Sequence, residues 1–210
     1  MLLYYITDRK QLVGDESNRR SRLFEKIAEA SRAGVDYIQL REKDVSGREL
    51  ENLADEAARV VRANSTTTKL LINARTDIAI ASGANGVHLP SNDISAQDVR
   101  DIWARSGTGK PVISISCHSI ADVEGAAADG TDLALFAPVF EKKGVAETRP
   151  TGLDALRKAC EQKIPVLALG GVTLQNAKSC IEAGAAGMAA IRLFQENDVA
   201  EVVRQLRRFK

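Results

Sequence analysis

Charged and amide side chains gather where short apolar runs end. The run YIQLRE closes on Gln39, Arg41 and Glu42, with Lys43 next. In an extended segment alternate residues share a face, so Gln39 and Arg41 point the same way and Lys43 lies just beyond. Arginine offers a planar fork for phosphate oxygens and lysine a mobile point charge, a pairing suited to a pyrophosphate. The competing reading is a surface charge cluster in which Glu42 and Asp44 neutralise both cations. The run KLLINA ends in Asn73 and Ala74, and the segment after GVHLP carries Ser91, Asn92 and Asp93. Asp93 is the best single metal-ligand candidate, because magnesium takes one or two carboxylates and completes its shell with water and substrate phosphate. The plainer alternative is that Asp93 caps the helix beginning ISAQDVR. Ser116, Cys117, His118 and Ser119 close the run VISISC, where hydroxyls and backbone amides at a helix start could cradle an anion. The adjacent Cys117 and His118 are not expected to form a nucleophile and base, since neighbours in a strand point to opposite faces. His88, inside an apolar run, is expected to be a satisfied core histidine.

These residues need elements to bring them together. Eight β-rich runs recur, at residues 2–7, 37–42, 69–74, 86–90, 112–117, 133–140, 165–171 and 187–194. Amphipathic segments lie between them; Leu50, Leu53, Ala54, Ala57, Val60 and Val61, for example, fall on one helical face. Eight strands, near-continuous in their apolar character and alternating with helices, predict a parallel (β/α)8 barrel spanning residues 1–210 as one domain. An open doubly wound sheet alternates the same elements, but the first turn, ITDRKQLVG, lacks the glycine-rich GxGxxG pattern. Ser95 and Thr173 are positioned to cap helices, and Gly34, Gly83 and Gly184 to end them. In a barrel, chemistry belongs at the carboxyl ends of the strands. Gly170 and Gly171 close the seventh strand, where glycines let backbone amides approach phosphate. The stretch around 140–151 has no clear period and is a lid candidate.

Composition narrows the partners. With 29 basic and 28 acidic side chains mixed along 210 residues, the net charge is +1, which gives no electrostatic footprint for nucleic acid or membrane. The amino terminus MLLYYITDRK lacks the pattern of a secretory signal, so cytoplasmic residence is expected. Cys117, Cys160 and Cys180 are odd in number and widely spaced, and are read as reduced thiols, the last two as small core hydrophobes.

Taken in order, YITDR, IQLREK, LLINAR, GVHLPSND, SCHS, APVF, PVLALGGV and AGAAGMAAI resemble thiamine phosphate synthase over nearly the whole chain. The closely similar thiazole tautomerases share most of these blocks. The resemblance implies an Mg2+-dependent transferase that joins a hydroxymethylpyrimidine diphosphate to a thiazole phosphate and releases pyrophosphate by an SN1-like displacement. It implies that Gln39, Arg41, Lys43 and Asn73 line the pyrimidine and diphosphate region, that Asp93 binds magnesium, and that Ser116 lies beside the leaving group. Arg41, Lys43 and Ser116 are then the catalytic set. Gly170, Gly171 and the backbone after Ile191 would receive the thiazole phosphate, and Lys142 or Lys143 would meet the diphosphate. The implied partners are small molecules only, with a homo-oligomer left open.

Three positions depart from the family pattern. Ala74 replaces a second magnesium-binding aspartate, EKKGVAETRPTG replaces a threonine-rich loop, and Arg192 stands on the eighth strand in place of a small serine, able either to grip the thiazole phosphate or to obstruct it. The tautomerase's characteristic histidine corresponds to Pro138, which has no side-chain proton to exchange. The leading reading is synthase activity, full or weakened, with a metal-independent thiazole isomerase and a noncatalytic precursor-binding barrel as the alternatives.

Overall fold

Each apolar run becomes a strand shielded on both faces in the computed structural model, which describes residues 1–141 and 149–209. The strands are β1 (Leu2–Ile6), β2 (Tyr37–Leu40), β3 (Lys69–Asn73), β4 (Gly86–Leu89), β5 (Val112–Cys117), β6 (Leu133–Phe136), β7 (Val166–Leu169) and β8 (Gly187–Ala190). Every strand pairs in parallel with the next, and β8 returns to β1 with Tyr4 opposite Ala189, so the sheet closes. Parallel neighbours cannot be joined by a hairpin, and helices make the crossovers. These are α1 (Glu16–Ala33), α2 (Gly47–Asn64), α3 (Thr76–Ala81), α4 (Ala96–Ser106), α5 (Ile120–Ala128), α6 (Gly152–Ala159) and α7 (Ala177–Glu182). A short α8 (Arg192–Gln195) and the final α9 (Val199–Leu206) follow β8.

Alternation along the strands separates two apolar layers. Leu3 and Tyr5 of β1 pack outward against helix residues such as Leu23 and Ile27, together with Ile38, Leu53 and Trp103. Tyr4 and Ile6 pack inward with Leu133, Leu135, Leu167 and Ala189. Inside the barrel, buried polar side chains fall instead on β2, β4 and β5: Gln39, His88 and Ser114. The helical face predicted on α2 is buried at Leu50, Leu53, Ala54, Ala57 and Val61, with Val60 packed at its margin. Burying each leucine or valine contributes about 1.5 to 3 kcal/mol. Ser46 and Ser95 each make reciprocal capping boxes, with Glu49 and Asp98, and Gly34 ends α1 in the left-handed conformation.

Three boundaries differ most from the sequence reading. β6 stops at Phe136, two residues before Pro138, which has no N–H to extend the ladder. β8 stops at Ala190, and the residues read as its end form α8. Phe194 turns inward there to pack on Tyr5 with ring centroids 5.7 Å apart, and the Gln195 amide oxygen accepts from the Tyr5 hydroxyl and the Asp8 N–H. Contacts one helical turn wide thus override a β-rich pattern. Thr173 does not cap α7 directly: the Thr173 N–H donates to Asn176, which holds a turn before the helix starts at Ala177. Among the described residues no helix is long and apolar enough to cross a membrane.

Candidate active site

Because all eight strands run the same way, their carboxyl ends share one mouth, and most of the polar residues singled out above reach it. Gln39 and Asn73, on neighbouring strands, are joined by a 2.9 Å bond from Gln39 Nε2 to Asn73 Oδ1. Gln39 is only 1% exposed, and its Oε1 has no partner among the described residues. An unmatched buried acceptor costs about 1 to 3 kcal/mol, which a ligand donor would recover. One strand further, His88 Nε2 lies 2.9 Å from Ser116 Oγ, and Asn73 is the register partner of His88. Gln39, Asn73, His88 and Ser116 therefore form a continuous polar wall across β2 to β5.

The charge-cluster alternative for Arg41 and Lys43 fails, because Glu42 and Asp44 belong to Arg9. The Arg9 guanidinium, 4% exposed, bonds Glu42 at 3.1 Å, Asp44 at 2.6 and 3.0 Å, and Glu16 at 2.8 Å. Thr7 adds a 2.6 Å bond to Glu42 and accepts from the Arg41 N–H. Arg9 holds the Asp44 carboxyl down to about 2, whereas burial pushes the Glu42 carboxyl up against the pull of Thr7 and Arg9. The half-buried Arg41 and exposed Lys43 side chains consequently have no carboxylate partner among the described residues. Both cations act on His88: burial first, and then Arg41 and Lys43, lower its imidazole to about 3. His88 is thus a neutral, fully satisfied histidine, as its apolar run suggested, though one that touches the site.

Asp93 does not cap α4; Ser95 does, and the exposed Asp93 uses Oδ1 to accept from the Ile94 N–H at 2.9 Å. Its second oxygen stays available. Ala74 brings only a methyl group, the Asn73 side-chain oxygen accepts from Gln39, and among the described residues no three His, Cys, Asp or Glu side chains could hold a metal together. This donor set fits a magnesium ion whose shell comes mainly from water and substrate oxygens, with Asp93 as its single carboxylate, and does not fit an all-protein cage. Ala74 itself sits at φ 56°, a left-handed conformation that Asp and Asn tolerate better than other non-glycine residues.

On the opposite rim, Gly170 and Gly171 adopt φ 91° and 66°. A Cβ on Gly171 would lie 2.5 Å from the Glu141 carbonyl oxygen, so only glycine allows this loop to approach the segment after β6. Ile191 leads directly into α8, and barrels commonly bind phosphate between the loops after strands seven and eight and a short extra helix there. Arg192 opens α8 instead of lying on the strand. Its Nε is 3.4 Å from Gln11 Oε1 and 3.8 Å from Glu196 Oε1, which turns it along the rim toward the β1 loop. Lys142, Lys143 and most of the lid candidate lie outside the described residues. Cys117 is fully buried with its thiol pushed up to about 12 by burial, and the His118 ring is 2.9 Å from the Ala137 carbonyl oxygen, so these neighbours form no dyad.

The sequence analysis assigns no role to Tyr4, Thr7, Arg9 or Ser114, although Thr7 and Arg9 fall within the YITDR block. The signal for Ser114 was present, since Ser114 and Ser116 place hydroxyls two residues apart in an otherwise apolar strand. Nothing in local pattern marks Arg9, whose partners lie 7 to 35 positions away.

Comparison with known proteins finds relatives along nearly the whole chain. Residues 3–194 match the family described as thiamine monophosphate synthase. The thiamine-phosphate synthase of Clostridium novyi is 37% identical over 93% of this chain and 91% of that protein. The thiamine-phosphate synthase of Methanoculleus marisnigri is 36% identical over 93% and 92%. Thiamine phosphate pyrophosphorylase from Pyrococcus furiosus superposes with a TM-score of 0.81 at 28% identity, covering 99% of this chain and 94% of that one. Matched in sequence along nearly its whole length and in structure around the same closed barrel, the chain belongs to the thiamine monophosphate synthase family.

Proposed function

We propose that this protein joins a hydroxymethylpyrimidine diphosphate to a thiazole phosphate and releases pyrophosphate. The observation that carries the reading is the segregation of charge at the end of β2: Arg9 absorbs Glu42 and Asp44 and leaves Arg41 and Lys43 without a carboxylate. Cations kept free beside a wall of amides and a hydroxyl suit a diphosphate on an uncharged heterocycle. The unmatched Gln39 Oε1 accepts from an exocyclic amino group on that ring. As the carbon–oxygen bond breaks and the diphosphate leaves with the electron pair, Arg41 and Lys43 stabilise the growing charge, and Ser116 donates to it. The thiazole nitrogen, held through its phosphate by the backbone at Gly170, Gly171 and Ile191, then captures the pyrimidinylmethyl cation. Donors and charges already in place before the bond breaks stabilise such a transition state with little reorganisation. Arg41, whose N–H is held by Thr7, is the better ordered of the two cations. Asp93 would hold magnesium, which when bound supplies positive charge beside the leaving group.

The isomerase reading is weaker because Pro138, 3 residues before Glu141, offers no acid or base. The binding-only reading draws on Ala74 and the single carboxylate, and turnover excludes it. The deciding experiment gives purified protein both substrates and a magnesium series and follows pyrophosphate release. Steady, magnesium-dependent release is expected; none at any metal concentration from folded protein would remove the assignment.

A further inference from the structure

A chain of hydrogen bonds crosses the barrel interior from β1 to the mouth. Tyr4 Oη lies 2.9 Å from Ser114 Oγ, Ser114 Oγ lies 2.9 Å from His88 Nδ1, and His88 Nε2 lies 2.9 Å from Ser116 Oγ. Tyr4 and Ser114 are fully buried and His88 nearly so, while Ser116 is half-buried at the strand end. Ser114 and a neutral His88 each have one proton to give and one lone pair to offer along this line, so the direction of donation at one end sets it at the other.

The buried end has one favourable direction. The Tyr4 hydroxyl makes no hydrogen bond among the described residues except to Ser114. If it accepted from Ser114, its own proton would be buried without an acceptor among them, which is the costly case. If it donates, Ser114 donates to Nδ1, the imidazole carries its proton on Nε2, and that N–H donates to Ser116.

We propose that Tyr4 fixes the polarity of this chain, so that Ser116 is left with its hydroxyl proton directed at the mouth as a donor to an anionic group. Tyr4, Ser114 and His88 are positioning residues that act through Ser116. The device requires a neutral imidazole, because an imidazolium would donate from both nitrogens and turn Ser114 back on Tyr4. Burial and the two facing cations, Arg41 and Lys43, keep His88 neutral, with its imidazole at about 3.

What the Ser116 proton meets rests on the diphosphate reading above; the direction of the chain does not. The protein has two histidines, so nitrogen-15 long-range correlation spectra of the labelled full chain can assign the His88 tautomer. The expected result is protonation on Nε2 alone. Tyr4→Phe is expected to give a mixture of tautomers and to lower kcat about tenfold, with both KM values within about twofold. In a Ser116→Ala background the same change should have no further effect on kcat. Protonation on Nδ1 in the wild-type protein, or a Tyr4→Phe variant with unchanged tautomer and kcat, would overturn the proposal. Should the wild-type protein release no pyrophosphate, the diphosphate reading fails, and the tautomer still decides the polarity.

Discussion

At the scale of single residues, one guanidinium determines what its neighbours can do. Arg9 reaches Glu16, Glu42 and Asp44, and the two carboxylates flanking Lys43 are thereby removed from the ligand's electrostatic field. Arg41 is then a cation held for an anionic ligand, and Arg41→Ala should lose about 1.5 to 3 kcal/mol of charged hydrogen bonding. That is a fall of roughly 10- to 100-fold in kcat/KM for the diphosphate substrate; an unchanged value takes Arg41 out of the site. His88 carries a pH signature of the opposite kind. Its imidazole falls from the ordinary 6.5 to about 3 on folding, so between those values the unfolded chain binds a proton that the folded chain refuses. Stability therefore rises with pH across that window and is lost as pH falls. The His88 contribution between pH 7 and pH 5 is roughly 2 kcal/mol. Urea titrations at the two pH values should show this loss, and His88→Gln should flatten it; equal slopes in the two proteins would contradict the assignment.

At the scale of elements, the site depends on where strands stop. β2 delivers Gln39 inward and ends before Arg41, whose N–H is caught by Thr7 at the end of β1. β8 ends at Ala190, and α8 begins two residues later because Phe194 and Gln195 dock on Tyr5. The turn after β7 is held to the segment after β6, where the Phe140 N–H donates to the Gly170 carbonyl oxygen at 3.0 Å. Gly171→Ala would set a methyl group against the Glu141 backbone at a left-handed φ, and should destabilise by about 1 to 3 kcal/mol. If the loop yields instead of the fold, KM for the thiazole phosphate should rise while kcat changes less. Thermal unfolding and steady-state kinetics of this variant together separate the two effects, and a variant normal in both would mean that the loop approach has no role.

At the scale of the whole molecule, closure of the sheet makes the barrel one cooperative object. Trp103, the single tryptophan, is 2% exposed in the outer layer and reports on it by fluorescence, while far-ultraviolet dichroism reports on all elements. The two probes should give coincident urea transitions, and separate midpoints would show that the outer layer unfolds independently. Removing divalent metal with a chelator should leave that transition unmoved, since the described residues contain no metal cage, yet should abolish pyrophosphate release. A chelator that instead lowers the midpoint would mean that a metal supports the fold.

The run pattern carried the architecture by itself: eight apolar segments with helical segments between them have few other ways to bury both faces, and the ends of parallel strands must meet. Gln39, Asn73, Ser116 and Asp93 could be found because each follows or closes such a run, and period-two alternation tells which way a side chain points. Tertiary structure alone decided which charges cancel. Arg9 takes Glu42 and Asp44 from 33 and 35 positions away, and Tyr4 meets Ser114 across 110 residues. It also decided that Arg192 starts a helix, because the docking of Phe194 on Tyr5 outweighs a weak local preference for strand. Local sequence fixes direction and period; partners separated along the chain are chosen only when closure of the barrel brings them within hydrogen-bonding distance.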